Sequence, residues 1–486
     1  MTLRLHNTLT KNLDEFKPLD DNKVTLYTCG PTVYDYLHVG NWTAYVYWDI
    51  LVRTLQANDY YVERVMNITD VGHLVSDADE GEDKLEKGAR RENKTAWEIA
   101  QYYTDDFLAG MKELNLLAPN HTVKATEFID EQLELIKTLK SKGYTYQISD
   151  GIYFDTAKFP AYADFAKLDL EAQKAGARVD FNSEKRNPSD FALWKFTPDG
   201  QTRDMQWPTP NDLLDDAEDS VMGFPGWHLE CSAMAMTLLG NTIDIHTGGI
   251  DHIPVHHTNE IAQSEAASGQ RFANYWLHCN HLKIEGGKIS KSLGNGYTLS
   301  QLKDRGYSAL DLRMFILQGH FQNEGNFTFD NLQSAQNRLK HWRNFAALRH
   351  QVHDTLVNDD EKSTDDRSVS LWASSQALVE TLSNNLDTPG ALTLIDEAFS
   401  RFDGRSLDDI HQSAFTQLLE TIDAVLGLQL LDSTPDISDD TKRLILERQR
   451  ARDEKDWTRS DELRDAITKH GIEILDTVHG SVWRYT

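Results

Sequence analysis

The chain has 486 residues, a length that predicts about three domains. Hydrophobic residues make up 40% of it and charged residues 26%, which excludes a chain that is disordered throughout. The chain has 49 Lys and Arg residues and 77 Asp and Glu residues, and the net charge of −28 argues against a general nucleic-acid-binding surface. Residues 441–486 depart from this balance, with 10 basic and 9 acidic residues, so a contact with a polyanion would have to be local.

The three cysteines, Cys29, Cys231 and Cys279, are too few to build a disulfide framework in a chain of this length. They suit a reducing cytosol and favour a metal site or a catalytic thiol. No apolar run approaches the ~18 residues of a membrane-spanning helix, and residues 1–7 lack the apolar core of a signal peptide. We therefore expect a soluble, cytoplasmic protein that does not bind membranes.

A strand followed by a turn and a helix occurs at two distant places in the chain. Turns are indicated at Cys29-Gly30-Pro31 and at Thr247-Gly248-Gly249. Such units build parallel sheets, whose ligands bind at the carboxyl ends of the strands, so two halves of one site would be far apart in sequence. The predicted elements are strands over 24–28, 61–67 and 242–246 and helices over 42–57 and 256–267.

The remaining segments predict further domains. Residues 113–224 mix a helix, short strands and an acidic loop, as an insertion would, and helical spacing dominates from residue 331 onward. The polar stretch 432–441 is typical of a linker. We predict an α/β fold: a Rossmann-like parallel-sheet catalytic domain with an inserted domain, followed by an α-helical bundle and a small C-terminal domain. The predicted boundaries are 1–112 and 225–283 for the catalytic halves, 113–224 for the insertion, 284–330 for a loop domain, 331–436 for the bundle and 437–486 for the terminal domain.

Two short motifs carry candidate chemistry. His38-Val39-Gly40-Asn41 lies between the first strand and its helix, where backbone N–H groups and the helix dipole favour an anion. Lys288-Ile289-Ser290-Lys291-Ser292 places two cations on one loop, which suits the charge that develops in phosphoryl transfer. The alternatives are a helix-capping histidine for the first motif and a solvated surface loop for the second.

Together these motifs resemble the HIGH and KMSKS signatures of class I aminoacyl-tRNA synthetases. Further segments make the chain similar, from about residue 5 to residue 484, to the cysteinyl-tRNA synthetase family. They are Thr28-Cys29-Gly30-Pro31-Thr32-Val33-Tyr34-Asp35, Asn67-Ile68-Thr69-Asp70, Pro225-Gly226-Trp227-His228-Leu229-Glu230-Cys231-Ser232 and Asp244-Ile245-His246. The resemblance implies that ATP activates L-cysteine, which is then joined to tRNA(Cys).

A metal site is predicted from four residues. His256 and Glu260 are four apart on a predicted helix and share a face, and with Cys29 and Cys231 they supply ligands that zinc accepts. The alternative is two buried thiols and a surface His/Glu pair, and the choice between His256 and the adjacent His257 stays open. The resemblance implies one zinc ion per chain, which would bind the substrate thiol and reject the hydroxyl of serine. Cys279 is predicted to serve only packing.

The resemblance also implies roles for further residues, which we group by ligand. The residues assigned to catalysis are His38, Asn41, Lys288 and Lys291. ATP, bound with Mg²⁺, would contact these four together with Gly248 and Asp251. Cysteine would contact Gly30, Thr69, Trp227 and His246, and the tRNA anticodon would contact Arg452, Trp457, Asp461 and Asp476. We expect a monomer.

Three positions depart from the common patterns of the family. Asn41 stands where the HIGH signature has its last histidine, and Ile289 stands where KMSKS has methionine. Asn can still donate a hydrogen bond and Ile is apolar like Met, so neither change argues against activity. Thr258 replaces a commoner acidic residue beside the predicted ligands.

Two other functions remain open from the sequence. A related cysteine ligase of mycothiol synthesis would share the fold and the zinc, but it would end before an anticodon domain. A catalytically silent relative that binds tRNA or zinc is the other alternative. The intact His38, Lys288 and Lys291 argue against it.

Overall fold

The structure is a computed structural model of the chain. It describes residues 2–72, 84–169, 182–198, 200–215, 221–289, 294–351, 366–401, 407, 410–478 and 480–486. Among the helices of these ranges, none combines the length and the apolarity needed to cross a membrane.

The strands build one parallel sheet, one antiparallel sheet and several two-stranded ribbons. In chain order they are β1 (Arg4–Asn7), β2 (Asn12–Glu15), β3 (Lys23–Thr28), β4 (Tyr61–Ile68), β5 (His121–Lys124), β6 (Thr145–Ile148), β7 (Gly151–Phe154), β8 (Phe191–Phe196), β9 (Trp207–Pro208), β10 (Met222–Pro225), β11 (Ile243–Gly249), β12 (Ala273–Cys279), β13 (Leu282–Ile284), β14 (Gly325–Phe327), β15 (Ile472–Thr477) and β16 (Gly480–Tyr485).

The helices follow in the same way. They are α1 (Val39–Ala57), α2 (Lys84–Glu92), α3 (Ala96–Glu113), α4 (Ile129–Ser141), α5 (Trp227–Leu239), α6 (Thr258–Ser268), α7 (Leu299–Lys303), α8 (Ala309–Leu317), α9 (Phe329–Ala346), α10 (Asp366–Leu382), α11 (Thr388–Ser400), α12 (Gln412–Leu426), α13 (Asp439–Asp453) and α14 (Trp457–Thr468). A π-helical turn, Ile253–His257, leads into α6, and 3₁₀ turns occupy Ala125–Phe128, Thr156–Lys158, Asn211–Leu213, Ile250–His252 and Ala347–His350.

The central sheet confirms the predicted parallel-sheet fold class. Its strand order is β12–β11–β3–β4–β5, and every neighbouring pair is parallel. Because β11 pairs directly with β3, the two halves that the sequence separates meet at the carboxyl ends of adjacent strands. The sheet extends past residue 113, where the insertion was predicted to begin, because β5 pairs with β4. Strands between residues 145 and 225 form an antiparallel sheet in the order β6–β7–β8–β10–β9.

Two predicted element boundaries differ from those observed. Helix α1 begins at Val39 and not at residue 42, because His38 caps it and the motif residues Gly40 and Asn41 form its first turn. Strand β11 continues to Gly249, so the glycine pair that predicted a turn belongs to the strand. The motif residues therefore lie within a regular helix in the first case and within a regular strand in the second.

The helical region follows the predicted apolar pattern. Leu332, Ala335, Leu339 and Trp342 on α9 are fully buried, as are Leu371, Leu378 and Leu382 on α10. Helix α10 packs against α11 and α12, and α9 packs against α8. A separate small core, which includes Ile467, Ile472 and Trp483, holds the C-terminal unit of α13, α14, β15 and β16 together.

A buried ionic junction joins α1 to the helical region. Asp49 accepts hydrogen bonds from Arg53, at 2.7 Å, and from Arg313 on α8. Arg53 also donates to the carbonyl of Ala424 at 2.9 Å, and Arg313 to that of Leu426 at 2.6 Å, which caps the end of α12. Burial opposes ionisation of Asp49, but the two arginines hold its pKa below the usual value.

We expect Asp49→Asn to lower the free energy of unfolding by about 3–5 kcal/mol, because it leaves two buried guanidinium groups without their carboxylate. Urea unfolding followed by tryptophan fluorescence measures this. Asp105→Asn, at an exposed position of α3, is the matched control and should change stability by less than about 0.5 kcal/mol. Equal effects of the two substitutions on the free energy of unfolding would contradict a stabilising role of the ionic junction.

Candidate active site

A cleft of about 800 Å³ opens where β3, β4 and β11 end and α1 begins. Its walls contain most of the residues that the sequence predicted for the site. These are Cys29, Gly30, His38, Asn41, Thr69, Trp227, Cys231, Gly248, Asp251, His256 and Lys288. His246 and Glu260 lie behind the wall, fully buried, and Lys291 lies outside the described residues.

The first motif forms the N-terminal cap of α1. His38 Nδ1 accepts a hydrogen bond from the Asn41 N–H at 3.2 Å, and Asn41 Oδ1 accepts one from the His38 N–H at 3.1 Å. The capping alternative is therefore correct for both residues, and both also line the cleft. The positive end of the helix dipole thus faces the cleft, where it favours an anion.

The second motif lies directly against the first. A Cβ added to Gly40 would come within 2.5 Å of Ile289 Cδ1, so the first turn of α1 has room for Ile289 only because residue 40 is glycine. The Val39 N–H donates to the carbonyl of Tyr297 at 2.8 Å. Lys288, the residue before Ile289, is exposed and lines the cleft.

Gly30 is required by the close approach of two strand ends. A Cβ at this position would lie 1.6 Å from the carbonyl oxygen of Asn67. The Gly30 N–H donates to Asn67 Oδ1 at 2.7 Å, and Asn67 Nδ2 donates to Thr69 Oγ1 at 3.0 Å. The backbone of β3 and β4 is thereby fixed on one side of the cleft.

Glu230 is a site residue that sequence reasoning missed. Its carboxylate is fully buried and accepts a hydrogen bond from Thr69 Oγ1 at 3.0 Å, so it sets the direction of the threonine side chain. His228, His252 and His278 were missed as well, although they pack around His256 and His257. Residues 228 and 230 lie within the segment 225–232 that resembles the family, but their spacing does not predict which side chains they contact.

The predicted metal ligands converge on one point. One ligand atom from each of Cys29, Cys231, His256 and Glu260 lies within 4.8 Å of the other three, and all four residues are buried. His256 is the fourth residue of the π-helical turn and Glu260 lies in the first turn of α6, with 2.6 Å between Nε2 and Oε1. Two sulfurs, a nitrogen and a carboxylate oxygen form a donor set that fits a tetrahedral zinc ion.

The ionisable groups of this cluster shift one another's pKa values. A hydrogen bond from Cys29 lowers the pKa of the Cys231 thiol to about 7, against the opposing effect of burial. Burial and the neighbouring Cys231 raise the pKa of Cys29. Burial disfavours the charged form of His256, but Glu260 and Cys231 outweigh it and raise its pKa to about 10. At neutral pH the ion-free cluster therefore holds a carboxylate, a thiol that ionises near pH 7 and a protonated His256, whose proton a metal ion would have to displace.

A second donor set overlaps the first. It comprises Cys29, His246, His257 and Glu260. His246, which is predicted to contact cysteine, is buried with its Nε2 2.6 Å from Oε2 of Glu260, a predicted metal ligand. His257 Nε2 lies 3.4 Å from Cys29 Sγ, and its Nδ1 lies 2.7 Å from His278 Nε2.

We expect His256→Ala to lose bound zinc and His257→Ala to retain it, because His256 lines the cleft whereas His257 is fully buried behind it. Zinc content of the purified variants, measured by mass spectrometry, distinguishes the two donor sets. Retention of zinc by His256→Ala together with loss by His257→Ala would assign the ion to the deeper set.

The site and its surroundings match known proteins along the whole chain. Residues 15–337 match the family described as tRNA synthetases class I (C) catalytic domain, and residues 434–484 match the cysteinyl-tRNA ligase anticodon binding domain. A cysteine–tRNA ligase of Treponema denticola is 38% identical over 515 aligned residues, which cover 100% of both chains. Cysteine–tRNA ligase 1 of Burkholderia lata is 40% identical over 99% of this chain and 96% of its own. The chain belongs to the cysteine–tRNA ligase family.

The fold of this member of the cysteine–tRNA ligase family also resembles solved structures of other aminoacyl-tRNA synthetases. A methionyl-tRNA synthetase from Mycobacterium tuberculosis, in complex with methionyl-adenylate, has a TM-score of 0.56 and 16% identity, covering 87% of this chain and 94% of that chain. A putative arginyl tRNA synthetase from Campylobacter jejuni has a TM-score of 0.51 and 13% identity, covering 85% and 93%. At these identities the likeness concerns the fold alone.

The matched anticodon-binding domain contains the four residues predicted to contact the anticodon. Asp476 accepts hydrogen bonds from Arg452 at 3.0 Å and from the buried Arg448 at 2.7 Å, so it organises arginines within the domain. The Trp457 side chain is 57% exposed, with the Arg452 guanidinium 5.7 Å from the centre of its ring. Asp461 is also exposed, on α14.

Proposed function

We propose that the protein joins L-cysteine to the 3′ end of tRNA(Cys) at the expense of ATP. The observation that carries this proposal is one cleft that is lined both by Cys29, Cys231 and His256 and by the capped helix start at His38 and the cation of Lys288. Membership of the family supplies the choice of amino acid and acceptor. We propose that the chain acts as a monomer in the cytoplasm, where its buried thiols stay reduced.

The first step forms cysteinyl-adenylate. A carboxylate oxygen of cysteine attacks the α-phosphorus of ATP, the bond to the β-phosphate oxygen breaks, and pyrophosphate leaves with its Mg²⁺. Asn41 and His38, at the positive end of α1, hold the phosphates and the ribose. Lys288 and Lys291 neutralise the charge that builds up on the phosphates in the transition state.

The second step transfers the amino acid. The 2′-hydroxyl of the terminal adenosine of the tRNA attacks the carbonyl carbon of the adenylate, AMP leaves, and an ester remains. Gly248 and Asp251 lie at the end of β11, where we place the adenosine of ATP. No covalent intermediate with the protein is required, because positioning supplies most of the catalysis.

The cluster of Cys29, Cys231, His256 and Glu260 would hold one zinc ion, and its buried, convergent donor atoms fit that ion. When bound, zinc supplies a soft Lewis acid that binds a thiolate strongly and a neutral hydroxyl weakly, and this difference distinguishes cysteine from serine. Trp227 lines the cleft beside His256, with 4.8 Å between ring centres, and we propose that it closes the pocket around the substrate side chain.

The remaining residues of the proposed cysteine pocket lie just beyond the ends of β3 and β4. Gly30 and Thr69 line the cleft, and Glu230 and Asn67 orient the threonine hydroxyl. We propose that this hydroxyl helps to place the substrate, while His246 orients Glu260 from behind. In the terminal domain we propose that Trp457 stacks on an unpaired anticodon base and that Arg452 and Asp461 contact base edges, with Asp476 positioning Arg452.

The test is cysteine-dependent exchange of pyrophosphate into ATP, followed by aminoacylation of a tRNA(Cys) transcript, with serine as the competing amino acid. We expect exchange with cysteine and little with serine, and a charged transcript. Exchange without tRNA charging would favour the ligase that joins cysteine to an amino sugar. Absence of exchange from folded, zinc-loaded protein would favour a relative that only binds its ligands.

A further inference from the structure

A second, smaller cavity lies at the opposite end of α1 from the cleft. Its volume is about 240 Å³, and it shares no lining residue with the cleft. It is bounded by the last turns of α1, the start of β4 and the segment before β5. The lining residues are Val52, Gln56, Tyr60, Tyr61, Val62, Arg64, Leu117, Ala118 and Asn120.

Arg64 is the charged residue of this cavity, and only 2% of its surface is exposed. Its Nε donates to Thr28 Oγ1 at 3.2 Å, and its Nη1 lies 3.5 Å from the carbonyl oxygen of Leu117, another lining residue. Within the described part of the chain, Nη2 donates no hydrogen bond and no carboxylate comes within 4 Å of the guanidinium. A guanidinium buried without a carboxylate partner is costly.

The charges around Arg64 do not balance. Asp49 is the carboxylate that acts on it through space, but Asp49 is already bonded to Arg53 and Arg313 and to the N–H of Leu117. Within the described part of the chain, the guanidinium groups of Arg53, Arg64 and Arg313 therefore share the carboxylate of Asp49. Burial lowers the pKa of Arg64 to about 10, which leaves it charged at neutral pH. In a chain of net charge −28 this leaves a local excess of buried positive charge.

The rest of the cavity is suited to a small organic anion. Asn120 presents an amide whose Nδ2 lies 3.4 Å from the Tyr61 hydroxyl, and Gln56 adds a second exposed amide. Apolar side chains also line the cavity, among them Val52 and Val62. A lining that combines donors with aliphatic groups fits a carboxylate with a short apolar tail better than a fully hydrated inorganic ion.

We propose that this cavity is a binding site for a small carboxylate, which pairs with Arg64 and supplies the missing negative charge. The site is separate from the cleft, and the proposal does not depend on the function proposed above.

Saturation-transfer NMR with propionate tests the proposal on the full-length, zinc-loaded protein. L-cysteine is left out, because it is itself a small carboxylate that could enter the cavity. Loss of the signal in a variant with a filled cavity then distinguishes this cavity from the cleft. We expect a saturable propionate signal that acetate displaces and chloride at equal ionic strength does not. Ala118→Trp fills the cavity from an exposed position and should weaken binding at least ~10-fold without altering pyrophosphate exchange.

Arg64→Gln removes the charge and should abolish the propionate signal. Since this variant alters a buried residue, its circular dichroism spectrum is compared with that of the parent, and Ala118→Trp carries the test if it does not fold. A signal that persists in Ala118→Trp would overturn the proposal, as would the absence of any saturable signal from the parent protein. Displacement by inorganic phosphate but not by acetate would overturn the choice of a carboxylate.

Discussion

Cys231→Ser is expected to reduce cysteine-dependent pyrophosphate exchange by ~100-fold or more and to lower bound zinc from one ion per chain to a small fraction. The reason is that Cys231 provides one of two sulfurs in the buried cluster, and its thiol has a pKa of about 7, so it ionises readily. A serine hydroxyl stays protonated and is a poor ligand for zinc. Zinc content by mass spectrometry and exchange kinetics on the same preparation measure both effects.

Cys279→Ser is the matched control for this variant. Cys279 is also buried and lines the cleft, but it belongs to neither donor set within the described part of the chain. Burial raises the pKa of its thiol to about 12, so it stays protonated. We expect this variant to keep its zinc and most of its activity. Full zinc occupancy in Cys231→Ser would show that Cys231 is not a ligand.

Lys288→Ala is expected to lower the rate constant of pyrophosphate exchange by about 10²–10³, with a smaller change in the KM for cysteine. Lys288 is exposed, lines the cleft beside the capped start of α1, and precedes Ile289, which packs on Gly40. In the proposed mechanism its charge lies where phosphate charge increases as pyrophosphate leaves. Steady-state exchange kinetics over ATP and cysteine concentrations separate the two parameters.

Lys283→Ala provides the comparison, because Lys283 lines the same cleft but forms an ion pair with Glu324 at 2.7 Å. We expect it to change the exchange rate by less than about threefold, since its charge is already compensated. Equal losses in the two variants would mean that the cleft needs positive charge in general. An unchanged rate in Lys288→Ala would remove this lysine from the mechanism.

Local sequence patterns predicted the elements that carry the site. Apolar alternation and helical spacing placed β3, α1 and β4 to within a few residues, because those periods depend on neighbours along the chain. The i, i+4 spacing brought together His256 and Glu260, as one helical face requires. The start of α1 was placed too late, because its cap depends on a side-chain contact that periodicity does not register.

Partners distant in sequence were beyond such reasoning. Glu230 meets Thr69 across 161 positions. His246 is buried against Glu260 and does not line the cleft. Around Asp49, Arg53 is four residues away on the same helix, but Arg313 comes from α8, 264 positions away, and its contact could not be predicted from spacing. The amino-acid composition shows only that the chain as a whole is acidic.

The sequence by itself determined the family, the class of fold, and the residues whose chemistry suits a thiol substrate and a phosphate, because motifs and spacing preserve residue type and order. The tertiary structure decided which of these residues face the cleft and which stand behind it. It also revealed an arginine that lacks a counterion. Both depend on how strands pair across hundreds of residues, and that pairing is set by the packing of the whole chain.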